Sequence, residues 1–485
     1  MNSVRKNYIY NIIYQILAII IPLITSPYLS RVLGAEPLGI YSYTYSIVLT
    51  FSAFSLLGIS NYGIRSIARL RNDQAKMSRN FFGIYFLQLI FTAIVLLTYF
   101  VYIYFFDQEF KLISLLQVGF LASSLVDVSW FFFGIENFKL TVFRNIVIRV
   151  ITVILVFVFV KSPSDLWKHT LIMSSGNFAT HLFLWLYLPK YLDLSQYKYA
   201  DLSKHVKPIF YLFIPVLAVR LYIYMDKVML GILASYSDVG FYYNAEKIVN
   251  IPMGFITALG TVMMPRTSFL ISKGDKQLVR QNIRKTMNFN LLLSYAMAFG
   301  IAGIAKVFAP FFFGQEFVIV GDLLPVISIT IIFKAWANVL RTQVLLPNGR
   351  DKEFSLSVIL GAIFNIIANY IFIPKLGAMG AILGTVAAEG IVSISQTYMV
   401  RQDVDVVLYL KESIGYLLAG IIMFFVVKTI EFVDLTSLYL LLIQVISGGF
   451  VYILLAFLFS PYKKDLIYSV KSVFKKGDKN GNRSS

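Results

Sequence analysis

Arg220, Tyr224 and Lys227 recur at i, i+4 and i+7 inside an apolar stretch, residues 211–230, long enough to cross a bilayer. At that spacing they share one face of a helix, with Asp226 about 100° round from Lys227. A charge near the middle of a spanning helix costs about 2.5–3.5 kcal/mol on insertion scales, so it normally faces a bundle interior or a wet cavity. Cations outnumber anions here. The chemistry this predicts is capture of a negatively charged ligand rather than the making of bonds. The competing reading is structural: an Asp226–Lys227 ion pair, or a pair between Arg220 and an unidentified acid, that fixes helix packing.

The next apolar stretch carries a polar stripe, Asn244, Lys247 and Asn250, with Glu246 beside it. Farther on, Lys334, Asn338 and Arg341 repeat the i, i+4, i+7 pattern, and only Lys334 lies well inside a span. Arg31 ends the first apolar run and by itself reads as an interfacial anchor. Asp127 and Glu389 are isolated acids within spans. With Asp226 they are the candidates for carrying a coupling ion, H⁺ or Na⁺, and each could equally be hydrogen-bonded scaffold. Arg149 and Lys306 lie near span ends, where snorkelling explains a cation as well as function does.

The elements that must position these residues are transmembrane helices. Of 485 residues, 58% are hydrophobic and only 14% charged, against about 25% charged in ordinary soluble domains. Mean hydropathy is +0.74. Apolar runs of about 20 residues recur from end to end, each matching a ~30 Å hydrocarbon core. The expected fold is an all-α polytopic membrane protein of about 14 spans, near residues 9–30, 38–60, 81–105, 112–133, 142–160, 167–188, 209–232, 239–262, 288–310, 318–340, 354–373, 378–399, 409–429 and 437–460. Loop cations then orient it. With the N-terminus inside, loops and tail place about five cations inside for each one outside, which predicts both termini in the cytoplasm. Arg144 is assigned to an inner loop on this count. The net charge of +18 therefore reads as topology and not as nucleic-acid binding.

Two segments echo one another. Leu33-Gly-Ala-Glu-Pro-Leu-Gly-Ile-Tyr41 follows the first span, and Leu230-Gly-Ile-Leu-Ala-Ser-Tyr-Ser-Asp-Val-Gly-Phe-Tyr242 follows the seventh. Pro22 and Pro215 interrupt the two preceding spans, and matched proline-broken segments in two halves of a transporter point to its binding site. The expected organisation is an N-terminal lobe (1–207), a C-terminal lobe (208–402), two additional helices (403–460) and a basic tail (461–485) lying along anionic headgroups. Tyrosine is dense near 41–45 and 222–243; most such residues suit a membrane interface, and a minority lining a cavity could stack on sugar rings. There is no cysteine, and His169, His181 and His205 have no metal-ligand spacing. A phosphate-binding Gly-rich loop ending in Lys-Ser/Thr and a nucleophile–base arrangement are also missing, which argues against an ATPase or other enzyme.

Several blocks together resemble the polysaccharide repeat-unit flippases of O-antigen and capsule type. They are Tyr28-Leu-Ser-Arg-Val-Leu-Gly-Ala-Glu-Pro-Leu-Gly-Ile-Tyr-Ser42, Met225-Asp-Lys-Val-Met-Leu-Gly231, Val239-Gly-Phe-Tyr-Tyr-Asn-Ala-Glu-Lys-Ile-Val-Asn-Ile-Pro252 and Val262-Met-Met-Pro-Arg-Thr267. That family belongs to a superfamily shared with multidrug exporters and lipid II flippases. The resemblance implies two six-helix lobes around a central cavity, alternating access, and an oligosaccharide on undecaprenyl pyrophosphate as substrate, moved across a bacterial cytoplasmic membrane. By similarity Arg31 matches a first-helix arginine of lipid II flippases, Lys247 stands at the place of an eighth-helix arginine, and Arg65 lies near an inner-gate cation. The expected partners are the lipid-linked glycan, anionic membrane lipids, and a polymerase and glycosyltransferases. The pyrophosphate would meet Arg31, Arg220, Lys227, Lys247 and Lys334. An ion-coupled drug exporter and a non-transporting scaffold subunit are the alternatives; exported drugs are mostly cationic and call for acids instead.

Overall fold

The structure, a computed structural model, describes residues 20–459. Arg5, Lys6, the start of the first expected span and the basic tail lie outside the described residues, as do the side chains of Pro215 and Tyr222. The described residues form helices joined by short turns: α1 (Ile20–Leu33), α2 (Ala35–Leu56), α3 (Ile59–Leu70), α4 (Gln74–Phe105), α5 (Lys111–Val126), α6 (Ser129–Gly134), α7 (Phe138–Phe159), α8 (Leu166–Leu182), α9 (Ser203–Leu233), α10 (Tyr236–Ser272), α11 (Lys276–Phe313), α12 (Val320–Leu340), α13 (Asp351–Leu376), α14 (Ala378–Val400), α15 (Val406–Ile430) and α16 (Ser437–Phe459). Within the described residues every expected span coincides with helix, the fourth being divided between α5 and α6. Ten helical segments among the described residues are long and apolar enough to cross a membrane, and α1 and α5 are shorter apolar helices.

Helix ends differ from the apolar windows where local signals override hydropathy. α4 starts well before residue 81 because Asp73 caps it, accepting from the Lys76 amide at 3.0 Å. α10 and α11 run past their apolar parts and meet at Gly274, whose φ of +74° suits glycine. The fourth expected span is broken: α5 stops at Val126, Asp127 is extended, and α6 restarts at Ser129. Backbone groups freed inside a membrane must find partners. Here Gln88 Nε2 donates to the carbonyls of Ser124 and Asp127 at 2.6 and 2.9 Å, and Trp185 Nε1 donates to that of Val126 at 2.9 Å.

Packing gathers the chain into two units. The first holds residues 1–247, 312–317 and 358–388. Its core is aromatic: Trp130 stacks on Phe81 with ring centres 5.3 Å apart, and lies so close to Gly63 that a Cβ there would be 2.5 Å from the ring. In the same unit the two echo segments meet. A Cβ on Gly39 would stand 1.6 Å from the Tyr236 carbonyl oxygen, and one on Gly240 would stand 2.1 Å from that of Ala35. The contact is reciprocal, each glycine facing the backbone four residues before the other, so both glycines exist to let α2 and α10 touch. The second unit holds residues 248–311, 318–357 and 389–485. It packs Met287, Trp336, Leu340, Tyr416 and Met423 together, with Tyr452 donating to the Leu292 carbonyl at 2.6 Å.

Candidate functional site

The first unit contains a cavity of about 790 Å³. α7 supplies one wall, with Arg144, Asn145, Ile148, Arg149 and Thr152 at helical spacing. α1 adds Pro22 and Thr25, α2 adds Tyr41 and Tyr45, α8 adds His169, Asn177, Thr180 and His181, and α10 adds Tyr243 and Lys247. The helix break places Asp127 and Ser129 in the same lining. Arg144, Arg149 and Lys247 thus share the lining with one carboxylate.

That carboxylate is occupied. Asp127 Oδ1 lies 3.0 Å from His181 Nδ1 and accepts from the Ser129 amide at 2.9 Å. Arg144 is buried and is held by Asn145 Oδ1 at 3.2 Å and Ser129 Oγ at 3.4 Å. Lys247 Nζ sits 4.0 Å from the centre of the Tyr243 ring, a cation–π contact that orients the ammonium without neutralising it. Tyr41 and Tyr45 are stacked with centres 5.5 Å apart, and the His169 ring meets Tyr41 edge-on at 4.6 Å. An anion with flat apolar faces attached fits this lining chemically.

The site residues expected from sequence divide into separate groups. Lys247 and Asp127 line the cavity. Arg220 is exposed and donates to the Tyr224 hydroxyl at 3.0 Å, so the predicted helical face exists. Lys227 is buried, and its partner is Glu246 Oε2 at 2.6 Å rather than Asp226. Asp226 is buried at the centre of a polar cluster. It accepts from Tyr242 Oη (2.6 Å), Asn365 Nδ2 (2.8 Å), Asn369 Nδ2 (2.6 Å) and Thr385 Oγ1 (2.9 Å), binding α9 to α10, α13 and α14. Asn244 is buried, donating to the Gly240 carbonyl at 3.1 Å and accepting from Ser30 at 3.4 Å, whereas Asn250 is exposed, so their stripe serves no single site. Arg31 is exposed at the end of α1 against Gly314. Arg65 lines a different recess with Arg69. In the second unit Lys334 and Glu389 form an ion pair at 3.4 Å.

Two cavity residues had other assignments. Arg144 belongs to α7 (Phe138–Phe159) and not to a loop: it sits on the second turn of that helix and lines the cavity. Arg149 lines the cavity instead of reaching an interface. The signal that locates both is the polar periodicity Arg144, Asn145, Arg149 and Thr152 on one helical face. The second unit has a recess of about 650 Å³ between α11, α15 and α16, but no charged side chain lines it.

The long apolar helices define a multi-pass membrane protein, and the fold has solved counterparts. It is similar to the solved structure of the lipid II flippase MurJ in an inward closed conformation, with a TM-score of 0.75 over 95% of this chain and all of that one, at 16% identity. Residues 4–271 match the polysaccharide biosynthesis protein family, and the chain belongs to that family. Among its relatives, a protein of Escherichia coli K12 named "Putative O-antigen transporter" is 23% identical over 407 residues, covering 83% of this chain and 97% of that one. A Haloferax volcanii protein named "Probable low-salt glycan biosynthesis flippase Agl15" is 24% identical over 249 residues, about half of each chain. Both relatives carry the names of transporters, the second that of a flippase.

Proposed function

We propose that this protein is a flippase for a lipid-linked oligosaccharide used in surface polysaccharide assembly. The carrying observation is the charge balance of the cavity: Arg144, Arg149 and Lys247 face it, and its one carboxylate, Asp127, is engaged by His181. A cationic drug would meet repulsion there. A diphosphate linking a glycan to a polyprenyl chain would meet charge-assisted donors, of which the two guanidiniums can each make paired contacts with phosphate oxygens. Tyr41, Tyr45 and Tyr243 supply ring faces for sugars. The named relatives support the glycan class, and undecaprenyl pyrophosphate is the carrier we assign. The cavity opens in turn to each membrane face, with both termini on the cytoplasmic side.

The polar cluster around Asp226 fits a coupling cation. It has a single carboxylate, which matches a single charge, and several neutral oxygens. The side-chain oxygen of Asn369 is buried with no hydrogen-bond partner among the described residues. Asp226, with the oxygens of Asn365, Asn369, Thr385 and Tyr242, would hold H⁺ or Na⁺. A bound ion supplies neutralisation of the carboxylate. Asp226 would then release donors from three helices, altering the junction on which α9 is held.

The test is genetic. Arg144, Arg149 and Lys247 are replaced by Gln, singly and together, in cells lacking the native copy, and membrane levels are checked. The triple variant loses surface polymer and accumulates lipid-linked precursor. Undiminished polymer at normal protein level would refute the reading.

A further inference from the structure

A second concentration of positive charge lies outside the cavity. Arg65 and Arg69, on the last turns of α3, and Lys204 and Lys207, on the first turns of α9, line a recess of about 730 Å³ together with Tyr62, Ser66, Ser203 and Pro208. All four cations are exposed. None has a carboxylate within 4 Å among the described residues, although neighbouring Arg71 pairs with Glu136 at 2.8 Å. The nearest acid in sequence, Asp201, spends its Oδ1 on the Ser203 amide and hydroxyl, at 3.0 and 2.7 Å.

The arrangement is unfavourable for the protein alone in three ways. Arg65 and Arg69 are like charges at i, i+4, and Lys204 and Lys207 are like charges at i, i+3, both spacings at which helices are weakened. Lys204 and Lys207 also sit at the N-terminal end of a 31-residue helix, where the macrodipole favours anions, and no acid occupies that first turn. Topology accounts for cations on one side of the membrane but not for four of them lining one recess, whereas an anion between them would reverse all three effects. Its position narrows the chemistry. α3 is the polar end of a helical segment, Ala35–Leu70, that is long and apolar enough to cross a membrane, and α9 begins just ahead of its own apolar stretch. The recess therefore lies where spanning helices end, at the depth of lipid phosphates. The Ser66 hydroxyl, which accepts from Asn80 Nδ2 at 2.5 Å, adds a neutral donor.

We propose that this recess is a second anion site, separate from the cavity, that takes a phosphate-ester headgroup at the membrane interface. Arg65 and Arg69 contact phosphate oxygens from α3, and Lys204 and Lys207 neutralise the remaining charge from α9. The site does not depend on what the cavity carries.

The experiment uses the purified full chain in detergent with Arg144, Arg149 and Lys247 all replaced by Gln, so that the cavity contributes little. Binding of short-chain phosphatidic acid and of inorganic pyrophosphate is titrated calorimetrically at low ionic strength. At least one probe binds. R65Q/R69Q and K204Q/K207Q each weaken it about tenfold or more, as loss of charge-assisted contacts predicts. R65K/R69K and K204R/K207R keep most of the affinity. Binding of phosphatidic acid alone assigns the site to a membrane lipid headgroup, and pyrophosphate alone to a free or terminal diphosphate. Failure of both probes to bind, or unchanged affinity in both Gln pairs, overturns the proposal. Should a pair fail to elute as a monodisperse species, single Gln variants at Arg65 and Lys207 give the same readout. The polymer phenotype of the cavity variants is scored separately, so either conclusion can fail without the other.

Discussion

Lys227 offers the sharpest division between scaffold and substrate site. Its ammonium is 2.6 Å from Glu246, with the two side chains 7% and 20% exposed. Deleting one partner of a buried pair typically costs about 3–5 kcal/mol, because the other charge is left without compensation. Glu246 keeps some contact with solvent, so K227Q should fall near the lower end, about 3 kcal/mol. E246Q strands the more buried member and should cost as much or more. K227Q/E246Q leaves two neutral amides that can bond to each other, and its loss should be smaller than the sum of the singles by about 2–3 kcal/mol. The assay is thermal inactivation of the purified protein in detergent, run on all four forms alongside surface polymer from complemented cells. Polymer should recover partly in the double variant, following stability. If K227Q abolishes polymer at wild-type stability and the double variant does not recover, Lys227 acts on substrate and the scaffold reasoning is wrong.

Other outcomes follow from close approaches and from the polar cluster. Gly39→Ala and Gly240→Ala each push a methyl into a backbone carbonyl, so either should cost more stability than the roughly 1–3 kcal/mol of ordinary overpacking and lower the inactivation temperature. An unchanged midpoint would deny the α2–α10 contact. Gly384→Ala places a Cβ 2.1 Å from Asn369 Oδ1. It should move Asn369 off Asp226 and mimic Asn369→Ala in polymer output; a silent Gly384→Ala would contradict the cluster. Asp226→Asn keeps the shape but removes the charge, and it should make export insensitive to ionophores that collapse the H⁺ or Na⁺ gradient. Retained sensitivity would remove Asp226 as the coupling group.

Hydropathy made the helices legible, because a bilayer demands length and apolarity that few other settings do. It could not show the break at Asp127, which depends on Gln88 and Trp185 from other helices receiving the freed carbonyls. Charge alone marked Arg220, Lys227, Lys247 and Lys334 without separating them. Their partners are distant in sequence or on a neighbouring turn, and only packing reveals that Lys227 has Glu246 and Lys334 has Glu389 while Lys247 has an aromatic face. Arg144 and Arg149 were obscured for a different reason: a cation near a span end satisfies the loop rule and the snorkelling rule equally well. The echoed glycines were visible as a pattern, but their purpose became clear only where α2 and α10 touch.

The most direct test of the account is translocation in proteoliposomes. The purified chain is reconstituted with a fluorescent short-glycan polyprenyl diphosphate, and a membrane-impermeant reagent reports how fast the labelled head changes sides. The wild-type protein should move the head, and the Arg144, Arg149 and Lys247 triple Gln variant should do so at least about tenfold more slowly, as expected for lost charge-assisted contacts. Equal rates in the two preparations would contradict a cationic cavity as the route of the glycan.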